Sequence, residues 1–236
     1  FYRPALQEAG VGGDFFDVFS VGKDCSALVV ADLSGKGLAA AQQVATVRNM
    51  LRFALYKSQS VSEATISLHD ALVEHDLLTG FATLFVGVYA QAQQTLTYVN
   101  CGQEPGLLWR AGTGEVRELG PTGPVLGGFG AGSYAEVTVP LAAGDVLALF
   151  TDGMTEVGPT RKEFLEVEGV SRLLQACAAN LDSSPDGGPA KDPQAIVDFL
   201  VAGVDAFGQG GASDDIALLV GVVGVSGGTT TEGAGD

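Results

Sequence analysis

Aspartates stand at the ends of apolar segments in four parts of the chain. The four segments are GGDFFD with Asp14 and Asp17, VADLSGKG with Asp32, FTDGMTE with Asp152, and ASDDI with Asp214 and Asp215. Taken alone, each residue is most simply explained as a turn residue, since Asp beside Gly is common in turns. Four such motifs in one chain favour a shared site, because carboxylates gathered at one edge of a sheet suit Mg²⁺ or Mn²⁺ rather than Zn²⁺.

Other catalytic and phosphate-binding motifs are not supported. The GKG segment at residues 35–37 lacks the P-loop frame, and GVGGDF has Phe15 where a dinucleotide-binding motif needs its last glycine. His69 and His75 are six residues apart, so they do not form HExxH, and we predict that they lie on a solvated helix face. With only two histidines and no nucleophile motif near either, a Ser-His-Asp or Cys-His site is unsupported.

The composition is that of an acidic globular protein. Of 236 residues, 46% are hydrophobic, and 12 Lys and Arg against 28 Asp and Glu give a net charge of −16. This charge disfavours nucleic-acid binding, which depends on clustered Lys and Arg. Three cysteines without a CxxC pair are typical of a reducing compartment, and the longest apolar-plus-glycine run, residues 216–225, is shorter than the roughly 20 residues that span a bilayer. We therefore expect a cytoplasmic protein with neither a membrane nor a nucleic-acid partner.

Residue patterns predict the elements that would position the acidic motifs. The helical spacing of apolar residues predicts four helices, at residues 38–57, 62–78, 169–180 and 193–207. Segments rich in β-branched and aromatic residues, separated by Gly, Pro and Asp, predict strands before, between and after these helix pairs. This order indicates one α+β domain over residues 1–224. Residues 225–236 have the composition of a flexible tail.

The motifs, taken in order, resemble those of a known phosphatase family. YRPALQEAGVGGDFFDVF, VADLSGKGLAAAQQVA, FATLFVGVY, LTYVNCGQEPGLLWR, ALFTDGMTEV and SDDIALLV are similar to segments of the bacterial SpoIIE/RsbU-type serine phosphatases. These form a branch of the metal-dependent protein phosphatases, which include protein phosphatase 2C. The likeness covers nearly all of residues 1–223. It implies a four-layer α-β-β-α sandwich, in which two antiparallel sheets flanked by helix pairs enclose a two-metal site.

The resemblance implies a role for each acidic motif. Four aspartates match the family's motifs and would be the catalytic metal ligands: Asp14, Asp32, Asp152 and Asp214. Asp215 would be the less favoured ligand of its pair. Asp32 would bridge two Mn²⁺ or Mg²⁺ ions, and the Leu33 carbonyl matches a backbone ligand. Asp17 is expected outside the metal shell, because residues three apart on a regular strand face opposite ways.

The residues expected to contact phosphate or substrate depart in part from the family pattern. The candidates for such contacts are Lys36 and Gln103. Where the family often has NAGHNPP, this chain has NCGQEPG, so that Gln103 and Glu104 replace His and Asn. Ser34 stands where protein phosphatase 2C relatives carry a His thought to protonate the leaving group.

The implied function is hydrolysis of phosphoserine or phosphothreonine on a regulatory protein, by attack of a metal-bridged water. In the family the substrate is commonly a phosphorylated anti-sigma-factor antagonist, and an upstream sensory domain commonly controls activity. A homodimer is compatible with the resemblance. The alternative is a catalytically degenerate phosphatase-fold binding module that senses or sequesters a partner protein, which the Gln103 and Glu104 replacements keep open. A metal-dependent nuclease is disfavoured by the net charge of −16.

Overall fold

The computed structural model describes residues 1–4, 12–35, 38–128, 132–160, 163–181, 192–209 and 214–224. These residues form two five-stranded antiparallel sheets, four α-helices and one 3₁₀ turn. Lys36 and the predicted tail at 225–236 lie outside the described residues. Within the described part, no helix combines the length and apolar character needed to cross a membrane.

Each sheet is covered by one pair of helices. The first sheet has the order β2-β3-β4-β5-β8, with strands β2 (Asp14–Gly22), β3 (Cys25–Leu33), β4 (Ala82–Ala90), β5 (Thr95–Cys101) and β8 (Val137–Pro140). The second has the order β1-β10-β9-β6-β7, with β1 (Tyr2–Arg3), β6 (Gly106–Trp109), β7 (Val116–Leu119), β9 (Val146–Phe150) and β10 (Ile216–Val222). The helices are α1 (Leu38–Lys57), α2 (Val61–Glu74), α3 (Glu166–Leu181) and α4 (Pro193–Phe207), and the 3₁₀ turn is Asp152–Met154.

Three apolar cores separate the four layers. Val29 of β3 packs with Leu51 of α1 in the core beneath the first helix pair. Val30, the next residue of β3, packs instead in the core between the two sheets, because successive side chains of a strand point to opposite faces. The third core joins the second sheet to α3 and α4, and Phe150 and Leu200 belong to it. The predicted α-β-β-α sandwich is therefore confirmed.

The end of α2 differs from its predicted position. The helix stops at Glu74, whereas the apolar pattern predicted helix to residue 78. Asp76 has a positive φ of 50°, and the Leu77 N–H donates to the Leu72 carbonyl at 3.0 Å. This is the geometry of a helix C-terminus in which a left-handed residue closes the last turn, a position usually taken by Gly. Asp in that position carries no strong sequence signal.

The prediction of a solvated face for both histidines is wrong for His69. Its side chain lies on the buried face of α2, and its Nδ1 hydrogen-bonds with the Tyr134 hydroxyl at 2.8 Å. His75 is exposed, as predicted. A buried His that has found a hydroxyl partner satisfies the usual requirement for polar groups in a core.

Asp17 anchors α1 to the first sheet. Its buried carboxylate accepts hydrogen bonds from Arg48 Nε at 2.9 Å and Nη2 at 3.1 Å, and from Arg52 Nε and Nη2, both at 2.7 Å. Although burial acts to raise it, these hydrogen bonds hold the pKa of Asp17 below its ordinary value. The Arg52 guanidinium also lies 4.5 Å from the centroid of the Phe19 ring. The prediction that Asp17 faces away from Asp14 agrees with this position.

We expect Asp17→Asn to lower stability without weakening metal binding. Hydrogen bonds to charged groups contribute about 1.5–3 kcal/mol, so the melting temperature should fall by roughly 3 to 12 °C. Thermal melts should be compared with those of Asp76→Asn, an exposed position whose left-handed backbone Asn tolerates. Equal melting temperatures for Asp17→Asn and wild type would contradict the anchoring role.

Candidate metal centre

Asp14, Asp32 and Thr83 form one row across three neighbouring strands of the first sheet. Asp32 on β3 is the Cα partner of Asp14 on β2 and of Thr83 on β4. Directly opposed residues project from the same face of a sheet. Val30, two residues before Asp32, packs between the sheets, so this row faces the space between the sheets as well.

The second sheet brings the third and fourth acidic motifs to the same space. The Thr151 N–H donates to the Ala217 carbonyl at 3.1 Å, and the Ala217 N–H donates to Thr151 Oγ1 at 2.9 Å. These bonds hold the end of β9, where Asp152 follows, beside the start of β10, which Asp214 precedes. The charge of Asp214 acts on both Asp32 and Asp152 and raises the pKa of each, after the larger effect of burial. Carboxylates from both sheets therefore face one another.

The carboxylates border a cleft between the sheets. Its volume is about 230 Å³, and its lining consists of Asp32, Phe81, Thr83, Gly102, Gln103, Glu104, Asp152 and Glu156. Four of these residues are acidic, and none of the lining residues that the structure describes is Lys or Arg. A phosphate group entering this cleft would meet net negative charge unless cations offset it.

Burial and mutual repulsion raise the pKa of three carboxyls at this site, those of Asp14, Asp32 and Asp152. Burial, together with the charge of Asp32, raises the pKa of Asp14 to about 9, although the Thr151 side chain acts in the opposite direction. Burial and the charges of Asp32 and Asp214 raise the pKa of Asp152 to about 7. Burial also raises the pKa of Asp32, while a hydrogen bond with Asp14 lowers it. The hydrogen bond between Asp14 and Asp32 thus acts to raise the pKa of Asp14 and to lower that of Asp32.

Two glycines before Asp14 permit close approach of the acidic segments. A Cβ on Gly13 would lie 2.2 Å from the Leu33 carbonyl oxygen, so the Leu33 carbonyl passes directly over the backbone beside Asp14. A Cβ on Gly12 would lie 1.5 Å from Asp215 Oδ2 and 2.6 Å from the Tyr2 hydroxyl. The Gly12 N–H donates to that hydroxyl at 2.8 Å. Side chains at these two positions would displace a backbone carbonyl and a carboxylate.

A hard divalent cation fits this site by charge and by donor type. Asp14 Oδ2 is buried and has no hydrogen-bond partner among the residues that the structure describes, and it faces carboxylates that repel it. Mg²⁺ and Mn²⁺ favour such oxygen ligands, and binding one would relieve both the orphaned oxygen and the repulsion. In the described part of the chain, however, no three His, Cys, Asp or Glu side chains already form a group that could hold a metal. The charge and the oxygen donors of the site therefore suit the cation, but the ligands are not already gathered into a coordination shell.

The remaining predicted contacts fall in different places. Gln103 lines the cleft, but its amide is engaged by protein groups. Asp214 Oδ1 accepts the Asp215 N–H at 2.9 Å. The Ser34 hydroxyl is engaged in two hydrogen bonds with the backbone of Phe81. It donates to the Phe81 carbonyl at 2.9 Å and accepts from the Phe81 N–H at 3.0 Å. The roles of these residues, and that of Lys36, stay predictions.

Sequence reasoning did not single out Thr83 or Glu156, although both line the cleft. Thr83 is the only Ser or Thr within the apolar segment FATLFVGVY, and this was the available signal. Glu104 accepts a hydrogen bond from the Thr155 hydroxyl at 3.1 Å, and burial raises its pKa. Glu156 lies near enough to contribute to that rise and to that of Asp152.

Gly153 lets the third acidic motif pack on the fourth, and we expect Gly153→Ala to disturb both. A Cβ at this position would lie 1.9 Å from the Asp215 carbonyl oxygen and 2.9 Å from Ile216 Cγ1, so backbone must move. Overpacking of this kind costs about 1–3 kcal/mol. Melting temperature and Mn²⁺ affinity should both fall, measured by thermal melts and titration calorimetry.

Gly112→Ala is the matched control for this substitution. A Cβ on Gly112 would meet nothing within 4 Å. It should leave Mn²⁺ affinity at the wild-type value. Wild-type affinity in Gly153→Ala as well would show that packing of the two motifs does not position the metal ligands.

The chain matches the family model described as Stage II sporulation protein E (SpoIIE) over residues 22–223. It is 28% identical to Protein IcfG of Synechocystis sp., over 75% of this chain and 31% of that protein. It is 27% identical to Phosphoserine phosphatase RsbU of Bacillus subtilis, over 73% of this chain and 50% of that protein. The chain thus spans half or less of the length of these curated relatives.

Solved structures share the fold. The structure of the RsbU and RsbW domains of a Mycobacterium tuberculosis protein has a TM-score of 0.78 and 26% identity, over 93% of this chain and 58% of that chain. The PP2C phosphatase domain of SpoIIE from Bacillus subtilis has a TM-score of 0.73 and 21% identity, over 93% of this chain and 61% of that chain. Because the family model covers most of the sequence and these structures carry the same two-sheet architecture, the chain belongs to the SpoIIE family, as the order of its motifs indicated.

Proposed function

We propose that the chain is a metal-dependent protein serine/threonine phosphatase that hydrolyses phosphoserine or phosphothreonine on a regulatory protein. The observation that carries the proposal is the convergence of Asp14 and Asp32 from one sheet with Asp152 and Asp214 from the other. The relative RsbU, which is named a phosphoserine phosphatase, supports the same reaction. A cleft lined by acids without a described Lys or Arg supports cation dependence.

The four aspartates would hold two Mn²⁺ or Mg²⁺ ions, with the Leu33 carbonyl as a backbone ligand. Such ions supply a water of lowered pKa and offset the charge of the phosphoryl oxygens. Asp32 is the best candidate to bridge them, because it is paired with Asp14 and is also affected by the charges of Asp214 and Asp215. The cleft would take the phosphorylated side chain, and the half-exposed Phe81 in its lining would offer an apolar contact to the peptide.

The physiological substrate that we propose is a phosphorylated anti-sigma-factor antagonist. The solved Mycobacterium tuberculosis neighbour, which contains an RsbU and an RsbW domain, supports a regulatory protein as partner. Control by an upstream sensory domain, a homodimer and a cytoplasmic location belong to the same proposal. They rest on the family resemblance.

Phosphate release from a phosphoserine peptide tests the reaction. Release is expected with Mn²⁺ or Mg²⁺, none with EDTA, and none from oligonucleotides under the same conditions. Full turnover by EDTA-treated protein would overturn metal dependence. Metal-dependent binding of the phosphopeptide without release would favour the degenerate binding module instead.

A further inference from the structure

Gln103 lies on the floor of the cleft, where its backbone is held in place. Its side chain is 4% exposed. Its N–H donates to Asn100 Oδ1 at 2.8 Å, and Asn100 Nδ2 is within 3.3 Å of the carbonyls of Glu104 and Leu119. The Asn100 amide therefore fixes the loop that carries Gln103. This sets the direction in which the Gln103 side chain points.

The Gln103 amide connects the two sheets. Its Oε1 accepts a hydrogen bond from the Thr83 hydroxyl, and its Nε2 donates to the Phe150 carbonyl at 2.9 Å. Thr83 is the Cα partner of Asp32 on β4. Phe150 is the last residue of β9, two residues before Asp152. One side chain thus joins the strand beside Asp32 to the strand that ends at Asp152.

The Gln103 amide can make this connection because it carries both a donor and an acceptor. The Phe150 carbonyl can accept but not donate, so the amide nitrogen must face it, which leaves Oε1 for the Thr83 hydroxyl. A Glu in this position would place a carboxylate oxygen against the Phe150 carbonyl. A Leu would remove the amide from both the Phe150 carbonyl and the partly buried Thr83 hydroxyl.

We propose that Gln103 is a positioning residue that sets the distance between the Asp32 and Asp152 halves of the metal site. It acts through Thr83 and Phe150, and both polar groups of its amide are used in doing so. The substrate contact predicted for Gln103 from the sequence is the competing role. The positioning role rests on the proposed function for the identity of the ions that the aspartates hold.

The test measures Mn²⁺ affinity by titration calorimetry, without turnover. The variants change the two partners of the hydrogen bond between Thr83 and Gln103. Gln103→Leu and Thr83→Val each remove it, and we expect the Mn²⁺ dissociation constant to rise about 10–100-fold, as for other groups that orient metal ligands. Thr83→Ser keeps the hydroxyl and should bind Mn²⁺ like wild type. The double variant Gln103→Leu/Thr83→Val should be no weaker than the weaker single variant, because both remove one connection. Gln91→Leu, an exposed turn position, is the matched control.

The competing role of Gln103 as a substrate contact gives a different result. It predicts an unchanged Mn²⁺ dissociation constant in Gln103→Leu and a raised KM for phosphopeptide at saturating Mn²⁺, and that result would overturn the proposal. So would equal Mn²⁺ affinity in Thr83→Val and Thr83→Ser, a comparison that holds even if Gln103→Leu fails to fold. Wild-type protein that binds Mn²⁺ but releases no phosphate would contradict the proposed function alone, and the affinity comparison would still decide the role of Gln103.

Discussion

Asp32→Asn is expected to abolish phosphatase turnover while leaving the metal-free protein at least as stable as wild type. Substitution of residues that only orient metal ligands already lowers metal affinity or activity about 10–100-fold. Loss of a shared ligand should therefore lower turnover more than about a hundredfold. Turnover of a phosphoserine peptide with Mn²⁺ and thermal melts in EDTA measure the two effects.

The two effects have one electrostatic cause. Asp32 stands in register with Asp14, and its charge raises the pKa of both Asp14 and Asp152. Replacing the carboxylate by a neutral amide removes this repulsion from the metal-free fold. The same replacement removes a negative oxygen ligand, and with it much of the affinity for a hard cation.

Asp24→Asn is the matched control, because Asp24 is a turn residue of the same hairpin. It is exposed, and it has a φ of 58°, which Asn tolerates. It should change neither turnover nor melting temperature. If Asp32→Asn behaved as a turn substitution, with activity retained and a modest loss of stability in EDTA, the assignment of Asp32 to the metal site would be wrong.

The metal-free protein is expected to lose stability as the pH rises from about 4 to about 9. In the unfolded chain the pKa of Asp is about 3.9. In the folded protein, burial and repulsion raise the pKa of Asp14 to about 9 and that of Asp152 to about 7. In this window the folded state binds more protons than the unfolded state, so the free energy of unfolding falls with rising pH. Asp17 has the opposite effect on the pH dependence of stability. Because its pKa is lowered in the folded protein, its contribution to the free energy of unfolding is lost at acid pH.

Mn²⁺ should reverse this trend, because it binds the ionised carboxylates. At a hundredfold excess over its dissociation constant it would add about 2.7 kcal/mol, or roughly 5 to 11 °C for a domain of this size. The rise in melting temperature on adding Mn²⁺ should grow with pH. Asp152→Asn should flatten the pH dependence near neutrality in EDTA. Metal-free wild type with constant or increasing stability across this range would contradict the clustered carboxyls.

Local patterns predicted most of the secondary structure. The helices predicted at 38–57 and 193–207 have those bounds in the structure. Both are specified within the segment, by apolar spacing in the first and by Asp192 and Pro193 at the start of the second. The end of α2 at Glu74 and the burial of His69 were not predicted, because a left-handed Asp76 and a partner 65 residues away leave no local trace.

The candidate site divides in the same way. The sequence by itself determined that four aspartates lie at or beside the ends of apolar strands, at or before the start of two of them and at or after the end of the other two. It also determined that Asp14 and Asp17 point to opposite faces, since alternation is a property of a single strand. Only the tertiary structure decided that Asp152 meets Asp32, because this depends on the order of strands and the stacking of two sheets. The role of Gln103 was decided there too, since the carbonyl that it binds lies 47 residues away in the chain. Hydrogen bonds between such distant residues are set by packing, and no local pattern of residues encodes them.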